Sequence, residues 1–306
     1  MPRTRIPISA TEVGILIISA AMLSVPVIDA LAKWASMSQA VGQIAWGRFM
    51  VQCLVLLPLL LVRGTPIAGT LAARHFWMGV VLAGAVIFLV WGLHHLPIAN
   101  NTAIFFVQPL ILTAISGVFL GERIGWSRWL AVLVGLVGAL VVIRPNWAAY
   151  GVATIFPFLA GTCYAIYMAL TRTRAVHEDI ILLQFWTGLV AAGILSVLMA
   201  AGWHVGLPVF SFSRPDGTGV ALVVAIGLLS AVIHVMIAAA LKRADASVMA
   251  PFQYLEIISA TALGWAVFGD LPDRITALGA LIIIASGLYV FLTERRVARQ
   301  AVAPVN

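Results

Sequence analysis

Ten apolar runs, each close to the length of a bilayer-crossing helix, fill almost the whole sequence. That repetition decides the fold class before any motif is read. The runs fall at roughly 13–34, 41–62, 74–95, 98–119, 126–144, 150–170, 180–201, 218–241, 247–268 and 275–293. About 20 apolar residues suffice to cross the hydrocarbon core as a helix. Lipid satisfies no backbone amide, so only helices or a closed barrel can cross it. The runs are continuously apolar rather than alternating, which selects helices. Charged residues make up 9 % of the chain, far below the roughly 25 % of a soluble domain.

The connections are short and punctuated, as in Arg63-Gly64-Thr65-Pro66 and Ser213-Arg214-Pro215-Asp216-Gly217. None can hold a soluble catalytic domain. An even number of spans puts both termini on one side. On that side, counted with the loops it shares, lie thirteen of the 18 basic residues, including Arg3, Arg5, Arg63, Arg74, Arg123, Arg172 and Arg174. Four lie opposite (Lys33, Arg144, Arg214 and Arg274), and Arg48 lies inside a span. The positive-inside rule therefore predicts cytoplasmic termini. The same loop bias explains the formal charge of +7 without nucleic-acid binding. Arg3 and Arg5 before an apolar run superficially resemble a signal peptide, but the run is long and Asp29 and Lys33 follow it, so a retained first helix is expected. Cys53 and Cys163 fall within spans and predict packing, not a disulfide.

The second half echoes the first. An offset of 148 takes Thr113 to Thr261, Ala114 to Ala262, Gly79 to Gly227, and the turn Gly121-Glu122 to Gly269-Asp270. An offset of 140 takes Trp46 to Trp186. Each unit holds five spans, an odd number, so the units must lie upside down to one another. The predicted fold is an all-α membrane protein of ten transmembrane helices arranged as two inverted five-helix repeats, 1–146 and 147–306, in one integral membrane domain. Inverted repeats carry substrate near the midplane in secondary transporters.

This organisation resembles the EamA family of the drug/metabolite transporter superfamily. The resemblance rests on the ten spans, the two five-helix units, the two Gly-acid turns, and the opening Asp29-Ala30-Leu31-Ala32-Lys33-Trp34 with Gln43 and Arg48. Members related to S-adenosylmethionine and riboflavin transporters have openings of this kind. It implies transport of amino acids, nucleobase-like compounds or other small metabolites across a bacterial cytoplasmic membrane, without ATP.

Ionised groups cost about 2.5–3.5 kcal/mol at the bilayer centre on insertion scales, so they should face the bundle interior and have partners. Asp29 and Arg48 sit at similar depths on adjacent spans, which suggests a bidentate pair, with Lys33 four residues from Asp29 sharing it or reaching the surface. That trio either pins the first two spans together or forms part of a gate. Glu256 lies mid-span with Gln253 one turn before it, and its repeat partner is Gln108. Pro109 follows Gln108 and Pro251 precedes Glu256 by five, and prolines free backbone carbonyls beside these side chains. Gln108, Gln253 and Glu256 are therefore expected to line a substrate cavity, with His234 added from the eighth span. A Glu256 that titrates near neutral pH would couple transport to protons. A plainer reading has Glu256 held structurally by Tyr164 or Tyr167.

Ring faces hold planar or cationic ligands, and of the aromatics inside spans Trp91, Tyr167 and Trp186 are the expected contributors. Trp34, Trp126, Trp147 and Trp203 belong to the interfacial belt. His94, His95, Asn100 and Asn101 either build a polar mouth or cap helix ends, and capping is the reading preferred here. No metal-ligand spacing and no phosphate-cradling loop is present in the sequence, so no cofactor is expected. A membrane-embedded enzyme would need a nucleophile with its base at matching depth, and the sequence offers none. A channel would need filter motifs. A carrier of small organic solutes is the reading that remains.

Overall fold

The computed structural model describes residues 10–67, 71, 73–119, 126–172, 178–241, 243 and 252–302. Gly121, Glu122, Pro251 and the arginines at 3, 5, 123 and 174 lie outside the described residues. Among the described residues the chain is helical throughout, with no strand. The helices are α1 (Ala10–Ala35), α2 (Val41–Val62), α3 (Ala73–His95), α4 (Ile98–Phe105), α5 (Gln108–Phe119), α6 (Trp126–Tyr150), α7 (Ile155–Arg172), α8 (Ile180–Val205), α9 (Gly217–Leu241), α10 (Leu255–Leu263) and α11 (Arg274–Val302). Seven helical runs are long and apolar enough to cross a membrane, one of them the 43-residue stretch Trp129–Thr171 that contains both α6 and α7; Leu255–Phe268 and Arg274–Tyr289 are shorter. The helices show almost no polar face, as expected where lipid rather than water surrounds them.

Two boundaries differ from the sequence reading. The fourth span is not one helix: it breaks at Phe106 and Val107 into α4 and α5. Helix α6 continues past Pro145 to Tyr150, and the turn into α7 is made instead at Gly151 (φ +60°). Tertiary anchoring overrides the proline there. Asn146 is 1 % exposed, its Nδ2 donates to Val142 O at 2.7 Å, and its Oδ1 accepts from Asn100 Nδ2 at 2.6 Å. Asn100 thus clasps α4 to α6 and does not cap α4, whose first turn follows Pro97 without a side-chain cap.

Helices at equivalent places in the two halves pack against each other antiparallel. On α2 and α8, Trp46 Nε1 donates to Ser196 Oγ at 2.8 Å, and further along Gln52 Nε2 donates to Gln184 O at 3.3 Å. On α6 and α11, Gly138 lies against Ile282 and Gly135 against Ser286. Glycines permit the closest approaches, as is usual between membrane helices. Gly79 of α3 sits on Val190 of α8, and its counterpart Gly227 of α9 sits on Val51 of α2, neither with room for a Cβ. At one end of the bundle, Arg74 and His75 of α3 meet Glu178, His75 Nε2 at 3.1 Å. Asp179 then caps α8 by accepting from the N–H groups of Ile181 and Leu182.

Candidate functional site

Three interruptions of regular helix surround the middle of the bundle. Pro26 lies inside α1 and has no N–H for the carbonyl of Met22. Pro109 likewise has none for Phe105 O, at the α4–α5 break. Gly161 of α7 comes up against that carbonyl: a Cβ there would lie 2.6 Å from Phe105 O. The third interruption is Tyr254, the turn residue before α10. Phe106 and Tyr254 are related by the repeat offset, and their rings meet with centroids 5.6 Å apart. Non-helical backbone inside a bilayer is tolerated where protein or a cavity surrounds it.

A cavity does occupy that place, with about 90 Å³ open to the centre of a water molecule. Its walls come from α1, α2, α3, the α4–α5 break, α7, α9 and the segment entering α10. Asp29 and Arg48 line it, as do Gln108, His234, Gln253 and Glu256. Asp29, Gln108, Arg48, His234 and Glu256 are all at least nine-tenths buried. Apolar contacts from Met22, Leu82, Phe105 and Met168 complete it.

The expected ion pair is not formed in the way the sequence suggested. Among the described residues no ion pair within 4.0 Å joins Asp29 to Arg48. Both instead point into the shared cavity, and Arg48 Nε has no hydrogen-bond partner among the described residues. His234 Nδ1 is in the same position. Lys33 does not share Asp29. Its Nζ lies 2.7 Å from Asp270 Oδ2 and 4.7 Å from the centre of the Phe268 ring. One turn of helix carries Lys33 beyond the cavity to the mouth of the bundle, where the Gly269 turn (φ +71°) presents Asp270.

The aromatic expectations need correction. Trp91 stacks on Phe156 (centroids 4.3 Å), outside the cavity wall. Tyr167 is buried behind the wall, with its Oη accepting from Gln184 Nε2 at 3.0 Å. Trp186 packs beside Phe185 in a separate apolar cluster. The aromatics that do line the cavity are Phe105, Phe106 and Tyr164. Tyr164 and Met168 are four residues apart and share the inner face of α7, while Tyr167 is turned off it.

The model of the EamA-like transporter family matches residues 12–144 and again 151–292. The chain belongs to the EamA-like transporter family. Curated proteins similar to it include the S-adenosylmethionine uptake transporter of Rickettsia felis, 26 % identical with 88 % of each chain covered. The riboflavin transporter of Vibrio cholerae is 28 % identical over 94 % of this chain and 95 % of its own. The pseudopaline exporter CntI of Pseudomonas aeruginosa is 23 % identical over 92 % and 97 %. A solved crystal structure superposes with a TM-score of 0.65 at 18 % identity, covering 94 % of this chain and 98 % of that one, a likeness of fold alone. Membership of EamA-like transporters makes the chain a multi-pass membrane transporter of small metabolites, not an enzyme.

Proposed function

We propose that the chain carries a small organic metabolite across the bacterial cytoplasmic membrane by alternating access, with both termini in the cytoplasm. The observation that carries this reading is the cavity itself. It lies midway along the helices, both halves matched by the family model contribute to its wall, and its polar groups are buried ones with few internal partners. Substrate sites of inverted-repeat transporters lie at such interfaces. The antiparallel pairing of α2 with α8 and of α6 with α11, and the duplicated family match, support two inverted units of five spans each.

Gln108, Gln253, Glu256 and His234 hold the solute, with Asp29 and Arg48 supplying charge. Lys33 with Asp270 closes the mouth beyond Asp29. The wall runs from Asp29 towards Ile18 and Ile237, on the side where α1 begins, so this conformation is closed at the Lys33 end. S-adenosylmethionine and riboflavin, given the names of the relatives, are the solutes to try first, followed by the amino acids that the sequence resemblance implies. Proton coupling through Glu256 or Asp29 fits the same geometry.

Reconstitution in proteoliposomes tests the reading. Saturable uptake of one of these solutes that accelerates when the same solute is loaded inside identifies a carrier. Flux that neither saturates nor responds to internal solute, or the release of a chemically altered product, would refute it.

A further inference from the structure

The polar groups of the cavity form an unusual set for a chain this apolar. Two carboxylates, Asp29 and Glu256, face one guanidinium, Arg48, with His234 and Tyr164 beside them. Asp29, Tyr164 and His234 lie within electrostatic reach of Arg48, and Glu256 within reach of Asp29 and Tyr164. Yet none of the three ionic side chains is tied to another: among the described residues neither Asp29 nor Glu256 forms an ion pair, and Arg48 Nε is left without a partner. Part-buried charge elsewhere among the described residues is neutralised by contact, as at Lys33 with Asp270 and at Glu178 with Arg74 and His75. Within the cavity that neutralisation is missing, so a ligand that supplies opposite charges at the right places gains what the protein leaves unused.

The count of charges says what kind of ligand that is. A cation seated between the two carboxyls holds both ionised, and the cavity's own side chains then sum to one negative charge. A guanidinium takes a carboxylate through two parallel N–H donors, a geometry that an ammonium cannot offer. The two carboxylates then face positive charge on the solute, and the ring face of Tyr164 or Phe106 suits a cation with little hydration. We infer, building on the transport reading above, that the cavity selects solutes that bear a carboxylate, seated on Arg48, together with a fixed cationic centre seated between Asp29 and Glu256. A neutral planar solute lacks both anchors and would leave the set uncompensated.

Three adenosyl compounds dissect this on the purified full-length protein by calorimetric titration. S-adenosylmethionine has the carboxylate, the ammonium and a sulfonium. S-adenosylhomocysteine has the first two and a neutral sulfur. Methylthioadenosine has none of the three. The expected order is S-adenosylmethionine tightest, S-adenosylhomocysteine about tenfold weaker, and methylthioadenosine weaker again by about tenfold or more. Arg48→Gln should erase the gap between the last two, and Arg48→Lys should restore part of it. Glu256→Gln and Asp29→Asn should erase the gap between the first two. Equal affinities for the three in the wild type, or no binding of S-adenosylmethionine at millimolar concentration, would overturn the inference without any variant having to fold. Liposome counterflow separates the two readings. The predicted affinity order without counterflow would leave the charge assignment standing and sink the transport reading. Riboflavin counterflow unaffected by Arg48→Gln would do the reverse.

Discussion

Lys33 Nζ and Asp270 Oδ2 lie 2.7 Å apart, joining the end of α1 to the turn that follows α10. The two residues are 237 positions apart in sequence and belong to different halves of the chain, so on the proposed alternating-access cycle the contact parts when that mouth opens. Both side chains are partly exposed, at 14 % and 30 %. Such a pair is worth about 1 kcal/mol or less, enough to shift a two-state population roughly fivefold. Lys33→Ala or Asp270→Ala should therefore favour opening at that mouth without unfolding the protein. Measured exchange should fall or rise by that order, and the double reversal Lys33→Asp with Asp270→Lys should return it towards wild type. Unchanged exchange in both single variants would remove the pair from the gating cycle.

The meeting of Gly161 with Phe105 O sets a second expectation. A methyl group at Gly161 would lie 2.6 Å from that carbonyl, and the backbone there has already lost a hydrogen bond to Pro109. Gly161→Ala should destabilise the protein by about 1–3 kcal/mol, as overpacking does. Gly193→Ala, where nothing lies within 4 Å, should leave it unchanged. Thermal unfolding of the two variants in detergent compares them directly.

The Asn100–Asn146 clasp should behave as a unit. Removing one partner leaves a buried amide unsatisfied, whereas removing both does not. Interhelical hydrogen bonds in membranes average about 0.6 kcal/mol, so Asn146→Leu should cost about 1 kcal/mol, and Asn100→Leu added to it should cost less than the two singles summed. Additive losses in unfolding would show that the two amides are independent.

Asp273 provides a pH dependence outside the membrane. Slight burial pushes its carboxyl up, but the Thr276 hydroxyl and the backbone N–H groups of Thr276 and Ile275 outweigh that and hold it below the ordinary value of 3.8. A depressed carboxyl adds stability that is fully present above that value and is lost as pH falls through the folded one. Unfolding of the wild type should thus gain a small acid-sensitive component below 3.8 that Asp273→Asn lacks. Parallel acid titrations of the two proteins would reveal it.

Orientation is open to labelling. The span bounds 126–144 and 150–170, with Arg144 on the outer side, put Asn146 in an outer connection, but it is 1 % exposed and would not react. Arg214→Cys is in an exposed connection, and Thr65→Cys is in a connection on the opposite side, both in a background with Cys53 and Cys163 replaced. Impermeant maleimide added to cells should mark the first and spare the second. Labelling of Thr65→Cys alone would invert the orientation.

Much of the architecture was readable because lipid punishes polar backbone so heavily. Run length alone marked the seven long apolar helical runs, and the offset of 148 relates Gly79 to Gly227, each of which seats a valine of the other half. The depth of Asp29, Arg48, Gln108 and Glu256 was readable for the same reason: burial of such groups is costly, so they mark the interior. Facing direction was harder. In a helix that is apolar all round, nothing separates Tyr164 from Tyr167 or fixes the side to which Trp91 turns. Partner choice was harder still. Lys33 is one turn from Asp29, but the Gly269 turn brings a carboxylate from the far end of the chain nearer. Local spacing cannot anticipate such a meeting.

Among the described residues, helices α6, α8 and α11 contribute nothing to the cavity wall. On the proposed reading the protein is therefore divided between a lining that meets the cargo and a chassis that does not. Changes of appetite within such a chassis can be made at a few positions on α1, α2, α7 and α9 while the glycine seams of α6 and α11 stay as they are. Directed evolution aimed at a new cargo has correspondingly little to search.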